Sequence, residues 1–157
     1  MKHYILALFP PEFSRNPAYW RGFALGLVMI ALALTQLFQF EDFPGVIEAM
    51  RLPGGAVAAG LLAALFPLLE IASVPYLCSI KVSPAVREAS KWAGLAVGVF
   101  WVMVTVWTSL TLGATAYSGI FGATLMASSG WWSVLFAALL LWSQVLTMRE
   151  LPKRRAS

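Results

Sequence analysis

The segment GGAVAAGLLAALFPLLEIASVPYLCSI, residues 54–80, contains one charged residue, Glu70, in a predominantly apolar run. A helix that crosses a bilayer needs about 20 such residues, and this run is longer. Pro67 and Pro75 interrupt the hydrogen-bond ladder of the helix, which predicts a kink. The segment therefore predicts a transmembrane helix.

Three further apolar runs have the same character. They cover residues 20–40, 92–113 and 131–148. The chain of 157 residues is 60% hydrophobic and 11% charged, with a mean hydropathy of +0.78. A soluble fold of this size could not bury so much apolar surface, so lipid must cover it. We predict an all-α membrane protein, a single integral domain over residues 1–157 whose four transmembrane helices form a bundle in the lipid bilayer.

The eleven Lys and Arg residues are distributed unevenly along the chain. Arg51 alone lies between the first and second spans, and the loop between the third and fourth spans has none. The others lie before or at the start of the first span, between the second and third, or after the fourth. The positive-inside rule then predicts a multi-pass protein of the inner or plasma membrane with both termini in the cytosol. Cations scattered in this way do not form a nucleic-acid-binding face.

The first outer loop, FEDFPGVIEAMRLPGG at residues 40–55, has the pattern of a short helix. Asp42 can cap its start and Pro44 suits its first turn. Apolar residues follow at helical spacing, namely Phe43, Val46, Ile47 and Met50. We predict an amphipathic helix that lies on the outer face of the membrane.

Two Gly-x-x-x-Gly pairs, Gly22 with Gly26 and Gly94 with Gly98, lie in the first and third spans. Such pairs allow helix backbones to approach closely. In the third span the pair continues as a helical stripe through Trp101, Thr105 and Thr108. We interpret the stripes as packing seams, and either glycine pair is also a candidate contact between copies in an oligomer.

Glu70 lies near the middle of its span, where a charged side chain costs on the order of 3 kcal/mol on insertion scales. No Lys, Arg or His is predicted at its depth. We therefore expect a neutral acid, or hydrogen bonds with Ser73, Thr105 or water. Two interpretations stay open: an acid that joins helices, and a proton relay or quinone contact. The candidate intramembrane polar site consists of Gln36, Glu70, Ser73, Thr105 and Thr108.

No sequence signature of an enzyme is present. Cys78 is the only cysteine, so it cannot form an intramolecular disulfide. The chain has no set of residues with metal-ligand spacing, and it lacks a nucleotide-binding loop, a nucleophile elbow and a catalytic triad. We interpret Cys78 as a small buried hydrophobic residue. The sequence does not decide whether the protein is an enzyme, and the missing signatures favour a protein that is not.

Three stretches together resemble the MauE-like or DoxX-like family of small four-helix membrane proteins that are associated with redox processes. They are ALTQLFQFEDFPGVIEAMRLPGG at residues 33–55, FPLLEIASVPYL at 66–77, and TAYSGIFGATLMASSGWW at 115–132. MauE-like proteins have a Cys-Gly-Cys-Phe-Gly turn in the last stretch. Here the turn is Ser118, Gly119, Ile120, Phe121 and Gly122, without either cysteine, and a helix-one position that is often Lys is Gln36.

The resemblance implies an accessory membrane protein that supports a redox partner outside the cytoplasm, as in methylamine utilisation or respiration, without thiol chemistry of its own. The alternatives are a small proton-coupled transporter and a quinone-binding subunit. Both use Glu70. We predict no cofactor for this chain, with a quinone as the alternative if it is a quinone-binding subunit. Against transport, the chain has no internal repeat.

We expect the turn at residues 118–122 to be rigid and glycine-hinged. It would cover the end of the bundle, with Tyr117 and Phe121 packed on the helices or on a partner. Cys78 is predicted about a membrane thickness away from it, so we expect no disulfide exchange.

Overall fold

The computed structural model describes residues 16–113, 117–125 and 127–151. Four of its helices are between 20 and 28 residues long and are apolar enough to cross a membrane. The prediction of a four-helix membrane bundle is confirmed, and the described residues include no β-strand. The helices are α1 (Pro17–Phe38), α2 (Phe43–Ala49), α3 (Gly55–Leu77), α4 (Pro84–Thr111) and α5 (Trp131–Glu150).

Local sequence signals determine where α1 and α4 begin. The side chain of Asn16 accepts a hydrogen bond from the Ala18 backbone N–H, and Pro17 follows Asn16 as the first residue of α1. Ser83 caps α4 in the same way ahead of Pro84. Ser83 followed by Pro84 predicts a helix start, and α4 begins there, because residues 84–91 add a more polar extension ahead of the apolar span.

The four long helices form a ring in which α1 packs against α3, α3 against α4, α4 against α5, and α5 against α1. Arg21 in α1 forms an ion pair with Glu150 in α5, so the described chain ends lie at one end of the bundle. At the other end, Gly119 lies against Met50, which follows α2. The first and third loops therefore meet, as the predicted topology requires.

The glycines of α1 allow close contact with the end of α3. A Cβ on Gly22 would lie 2.5 Å from the Leu77 carbonyl oxygen, and a Cβ on Gly26 would lie 2.7 Å from the Cys78 Sγ. Both glycines are buried within the chain. This pair is a packing seam, as interpreted from the sequence, but its burial corrects the prediction that it could join two copies.

The glycines of α4 are used in the same way. A Cβ on Gly94 would lie 3.3 Å from the Ser73 Cβ, and a Cβ on Gly98 would collide with the Gln144 side-chain oxygen. Both glycines are buried. Because these two glycines already contact α3 and α5, they are not available for contact with a second copy of the chain.

The predicted short helix is present as α2, but its apolar face lies against the protein and not in the membrane. Phe43, Ile47 and Met50 are all fully buried. The helix packs on α3, and Asp42 precedes it without making a side-chain capping bond. We refer to α2 together with residues 117–125 as the cap.

The cap fills a space that α1 leaves open. Gln36 is near the end of α1, yet its amide hydrogen-bonds Glu70, which is fifteen residues after the start of α3. At the helical rise, α1 therefore ends roughly 20 Å short of α3 at this end of the bundle. Backbone that is not helical can lie at membrane depth only where protein surrounds it, and here the cap is surrounded by α1, α3 and α5.

The outward faces of the long helices are apolar, as a lipid-facing surface requires. Leu61 and Leu110 are 68% and 69% exposed. Trp20 and Trp131, near helix ends, and Trp92, where the apolar part of α4 begins, are also exposed. Indole rings anchor in this way at headgroup depth.

Candidate functional site

Glu70 is the centre of a buried hydrogen-bond network. Its side chain is 0% exposed. The Oε1 atom accepts one hydrogen bond from the Gln36 Nε2 and one from the Trp101 Nε1, each at 2.9 Å. Three helices, α1, α3 and α4, are thereby joined at a single oxygen atom.

The Trp101 indole is held in place by an aromatic neighbour. Its ring stacks on that of Phe66, with centroids 4.3 Å apart and planes inclined by 22°. Phe66 precedes Glu70 by one helical turn and therefore lies on the same face of α3. The stacking directs the indole N–H to the carboxyl group, and it gives this buried donor the partner that it needs.

Gln36 extends the network into the cap. Its Nε2 also donates to the Ile120 carbonyl oxygen at 3.1 Å, and both residues are fully buried. Close by, the Thr124 hydroxyl donates to the Thr35 carbonyl oxygen at 2.6 Å. These two bonds attach residues 117–125 to the end of α1.

The turn depends on glycine at two positions. Gly122 has φ +63°, and a Cβ there would lie 2.6 Å from the Gln36 Cα. Gly119 has φ +65°, and a Cβ there would collide with the Met50 side chain. Left-handed backbone and close approach both exclude larger residues. The turn can therefore enter the bundle and present the Ile120 carbonyl group to Gln36.

The aromatic residues beside the turn have different environments. Phe121 is partly buried and packs against Phe136 of α5, with ring centroids 5.9 Å apart. Tyr117 is 46% exposed. Ser118 and Ile120, which stand where the resemblance places cysteines, are both buried.

The structure separates the predicted polar residues into two groups. Gln36 and Glu70 come together, but Ser73, Thr105 and Thr108 do not reach the carboxyl group. Their hydroxyls donate to carbonyl oxygens of their own helices, at 2.6, 2.7 and 3.1 Å. The expectation that Ser73 or Thr105 bonds the Glu70 carboxyl group was wrong, because a buried hydroxyl on a helix finds the preceding turn of backbone within reach.

Trp101 is the neighbour of Glu70 that the sequence did not predict as a donor to its carboxyl group. It was recognised only as part of the α4 stripe. Its indole N–H was the available signal, because a buried indole donor requires an acceptor.

Two buried oxygens of the network have no hydrogen-bond partner among the described residues. They are the Glu70 Oε2 and the Gln36 Oε1. Buried polar atoms are bonded in the large majority of cases, so these two atoms require an explanation.

The described residues hold no group of three or more His, Cys, Asp or Glu that could bind a metal ion. Cys78 is buried beside Gly26. Gly26 precedes Gln36 by ten residues of α1, which corresponds to roughly 15 Å of helix. The turn is therefore closer to Cys78 than predicted, because it enters the bundle, but it offers no thiol for exchange.

No protein-family model matches the chain, and comparisons with curated proteins and with solved structures find no significant match. The resemblance to MauE-like and DoxX-like proteins thus rests on the three sequence stretches alone.

Proposed function

We propose that this protein is a membrane accessory protein that presents the cap to a redox protein outside the cytoplasm. The observation that carries the proposal is the attachment of residues 117–125 by two hydrogen bonds, a buried one from Gln36 to Ile120 and a partly buried one from Thr124 to Thr35. A loop attached in this way keeps one shape before it meets a partner, which lowers the entropy cost of binding.

The surface of the cap suits a protein partner. Tyr117 and Leu125 are 46% and 55% exposed. Polar and acidic residues around α2 are exposed as well, namely Glu41, Asp42 and Glu48. An aromatic residue within a polar rim is typical of protein interfaces.

The second candidate function, proton-coupled transport or quinone binding at Glu70, is favoured by the unpartnered Oε2 atom. The burial of the same side chain favours the accessory function instead. Transport requires that Glu70 become accessible from the two sides in turn, and a quinone would have to reach the carboxyl group past Gln36 and Trp101, which already bond it.

A photo-crosslinking residue at Tyr117 tests the proposal in native membranes, with Leu110 as the matched, exposed control on the lipid-facing surface of α4. We expect an adduct at position 117, and not at 110, with a protein that carries a redox cofactor or a disulfide. If position 117 gives no such adduct, and a quinone co-purifies with the protein but not with Glu70→Gln, the quinone-binding function is the correct one.

The orientation in the membrane is tested by cysteine labelling. Cys78→Ser provides the background, and we expect this change to be functionally silent because no second thiol is available to Cys78. In intact cells, Tyr117→Cys should react with a membrane-impermeant reagent and the exposed Lys81→Cys should not. Ser118 is unsuitable as a labelling position because it is buried. The reverse labelling pattern would show that both termini are outside.

A further inference from the structure

The two unpartnered oxygens belong to side chains that are already joined. The Gln36 Nε2 donates to the Glu70 Oε1, while the Gln36 Oε1 and the Glu70 Oε2 have no partner. The orientation of the Gln36 amide is determined by its other contact, because the Ile120 carbonyl can only accept and must therefore face the nitrogen. Both remaining oxygens are acceptors unless one of them carries a proton.

We propose that Glu70 carries a proton on Oε2 and donates it to the Gln36 Oε1, so that the acid and the amide form a cyclic pair with two hydrogen bonds. One proton then satisfies both unpartnered atoms. The Oε1 atom of Glu70, as the carbonyl oxygen of the acid, accepts from Gln36 and Trp101. The two N–H groups of the Gln36 amide donate to Glu70 and Ile120.

An ionised Glu70 would leave an acceptor oxygen facing a second acceptor in a buried site. It would also leave a charge without a counter-ion, which costs so much in an apolar environment that such groups are normally neutralised. In the part of the chain that the structure describes, the side-chain partners of Glu70 are the uncharged Gln36 and Trp101, and no ion pair reaches it.

Apart from Tyr76, the titratable residues on the elements around Glu70 lie far from it along the helices or are exposed. Tyr76 is buried on the same helix, and a tyrosine is uncharged at neutral pH. In α1 they precede Gln36 by four turns, and in α4 they precede Trp101 by almost three turns or more. Those around the cap are exposed at its surface. They are Tyr19 and Arg21 in α1; Arg87, Glu88 and Lys91 in α4; Glu41, Asp42, Glu48, Arg51 and Tyr117 around the cap; and Tyr76 on the same helix as Glu70.

The acid–amide pair makes the attachment of the cap dependent on this proton. Loss of the proton replaces the bond between Oε2 and the Gln36 Oε1 by repulsion, and the same amide holds the Ile120 carbonyl. The folded state keeps a proton that a water-exposed carboxyl releases at neutral pH, so the free energy of unfolding falls as the pH rises. The acid–amide pair of Glu70 and Gln36 is buried, so its formation does not depend on which partner the cap binds.

Infrared spectroscopy of the purified protein tests the protonation directly. At about pH 7 the exposed carboxyl groups are ionised, so we expect a carboxylic-acid carbonyl band in the wild type that is missing in Glu70→Gln. Gln at position 70 reproduces the shape of the acid, and its Nε2 can donate to the Gln36 Oε1, so this variant should fold. A wild-type spectrum without that band would show that Glu70 is ionised and would overturn the proposal.

Accessibility of the buried turn tests the consequence, in the Cys78→Ser background. The labelling rate of Ser118→Cys is divided by that of the exposed Tyr117→Cys, which corrects for the reactivity of the thiol itself. Between about pH 7 and pH 10 we expect this ratio to rise by about tenfold, near the upper end of the effect that losing one neutral hydrogen bond produces. With Glu70→Gln added, the ratio should stay constant. The same pH profile in both backgrounds would overturn the proposal.

Discussion

Gly122→Ala is expected to detach residues 117–125 from the bundle and to lower the free energy of unfolding by about 3 kcal/mol, from two separate costs. Alanine at φ +63° adopts a left-handed conformation, which costs roughly 1–2 kcal/mol. Its Cβ would lie 2.6 Å from the Gln36 Cα, and such overpacking against backbone costs roughly a further 1–3 kcal/mol.

Gly113→Ala is the matched control for this change. Gly113 has φ +58°, but a Cβ there would meet no atom within 4 Å. It should therefore show only the conformational cost, roughly 1–2 kcal/mol. Denaturant unfolding in detergent gives the two free energies, and labelling of Ser118→Cys reports on the turn. Equal destabilisation by the two variants would mean that Gly122 does not lie against Gln36.

Gly22→Ala is expected to separate α1 from the end of α3 and to lower the free energy of unfolding by roughly 1–3 kcal/mol or more. The added Cβ would lie 2.5 Å from the Leu77 carbonyl oxygen, which is a backbone atom, and 3.3 Å from the Thr147 side chain. Neither contact is with the far end of a long, flexible side chain, so a change of rotamer cannot easily relieve the clash.

Gly60→Ala serves as its control, because Gly60 lies within α3 and a Cβ there would meet no atom within 4 Å. We expect it to be neutral or slightly stabilising, since alanine favours helix over glycine. Thermal unfolding of the purified proteins distinguishes the two variants. If Gly22→Ala were as stable as Gly60→Ala, α1 and α3 would not pack through this glycine.

The two glycine variants also separate the cap from the bundle. Gly122→Ala disturbs the surface that we propose binds the partner, while the α1–α3 contact at Gly22 lies at the opposite end of the molecule. Crosslinking at Tyr117 should therefore be lost in Gly122→Ala even where the four helices remain assembled. In Gly22→Ala, crosslinking at Tyr117 should decrease only in proportion to the folded protein that is lost.

The membrane spans, the helix starts and the special turn could all be predicted from the sequence because each depends on residues close together in the chain. An apolar run needs lipid whatever its neighbours are, and Ser83 followed by Pro84 starts a helix by local bonding. Gly119 and Gly122 indicated a turn for the same reason. Both have positive φ angles, which only glycine adopts without cost.

The partners of Glu70 could not be predicted, because they come from distant parts of the chain. Gln36 and Trp101 lie 34 and 31 residues from Glu70 in the sequence. Their contact with Glu70 depends on how far α1 is displaced along α3 and on which face of α4 is turned toward α3. The nearest polar residue in the sequence, Ser73, bonds its own helix instead.

The sequence by itself determined that this chain has four apolar spans, a charge distribution that predicts their orientation, and a costly acid within one of them. Only the tertiary structure decided that α1 ends short, that the cap fills the vacant space, and that the acid meets an amide there. The physical reason is that hydrophobicity and backbone propensity act on short stretches of chain. The burial of Glu70 is instead made tolerable by hydrogen bonds that exist only when α1, α3, α4 and the cap are packed together.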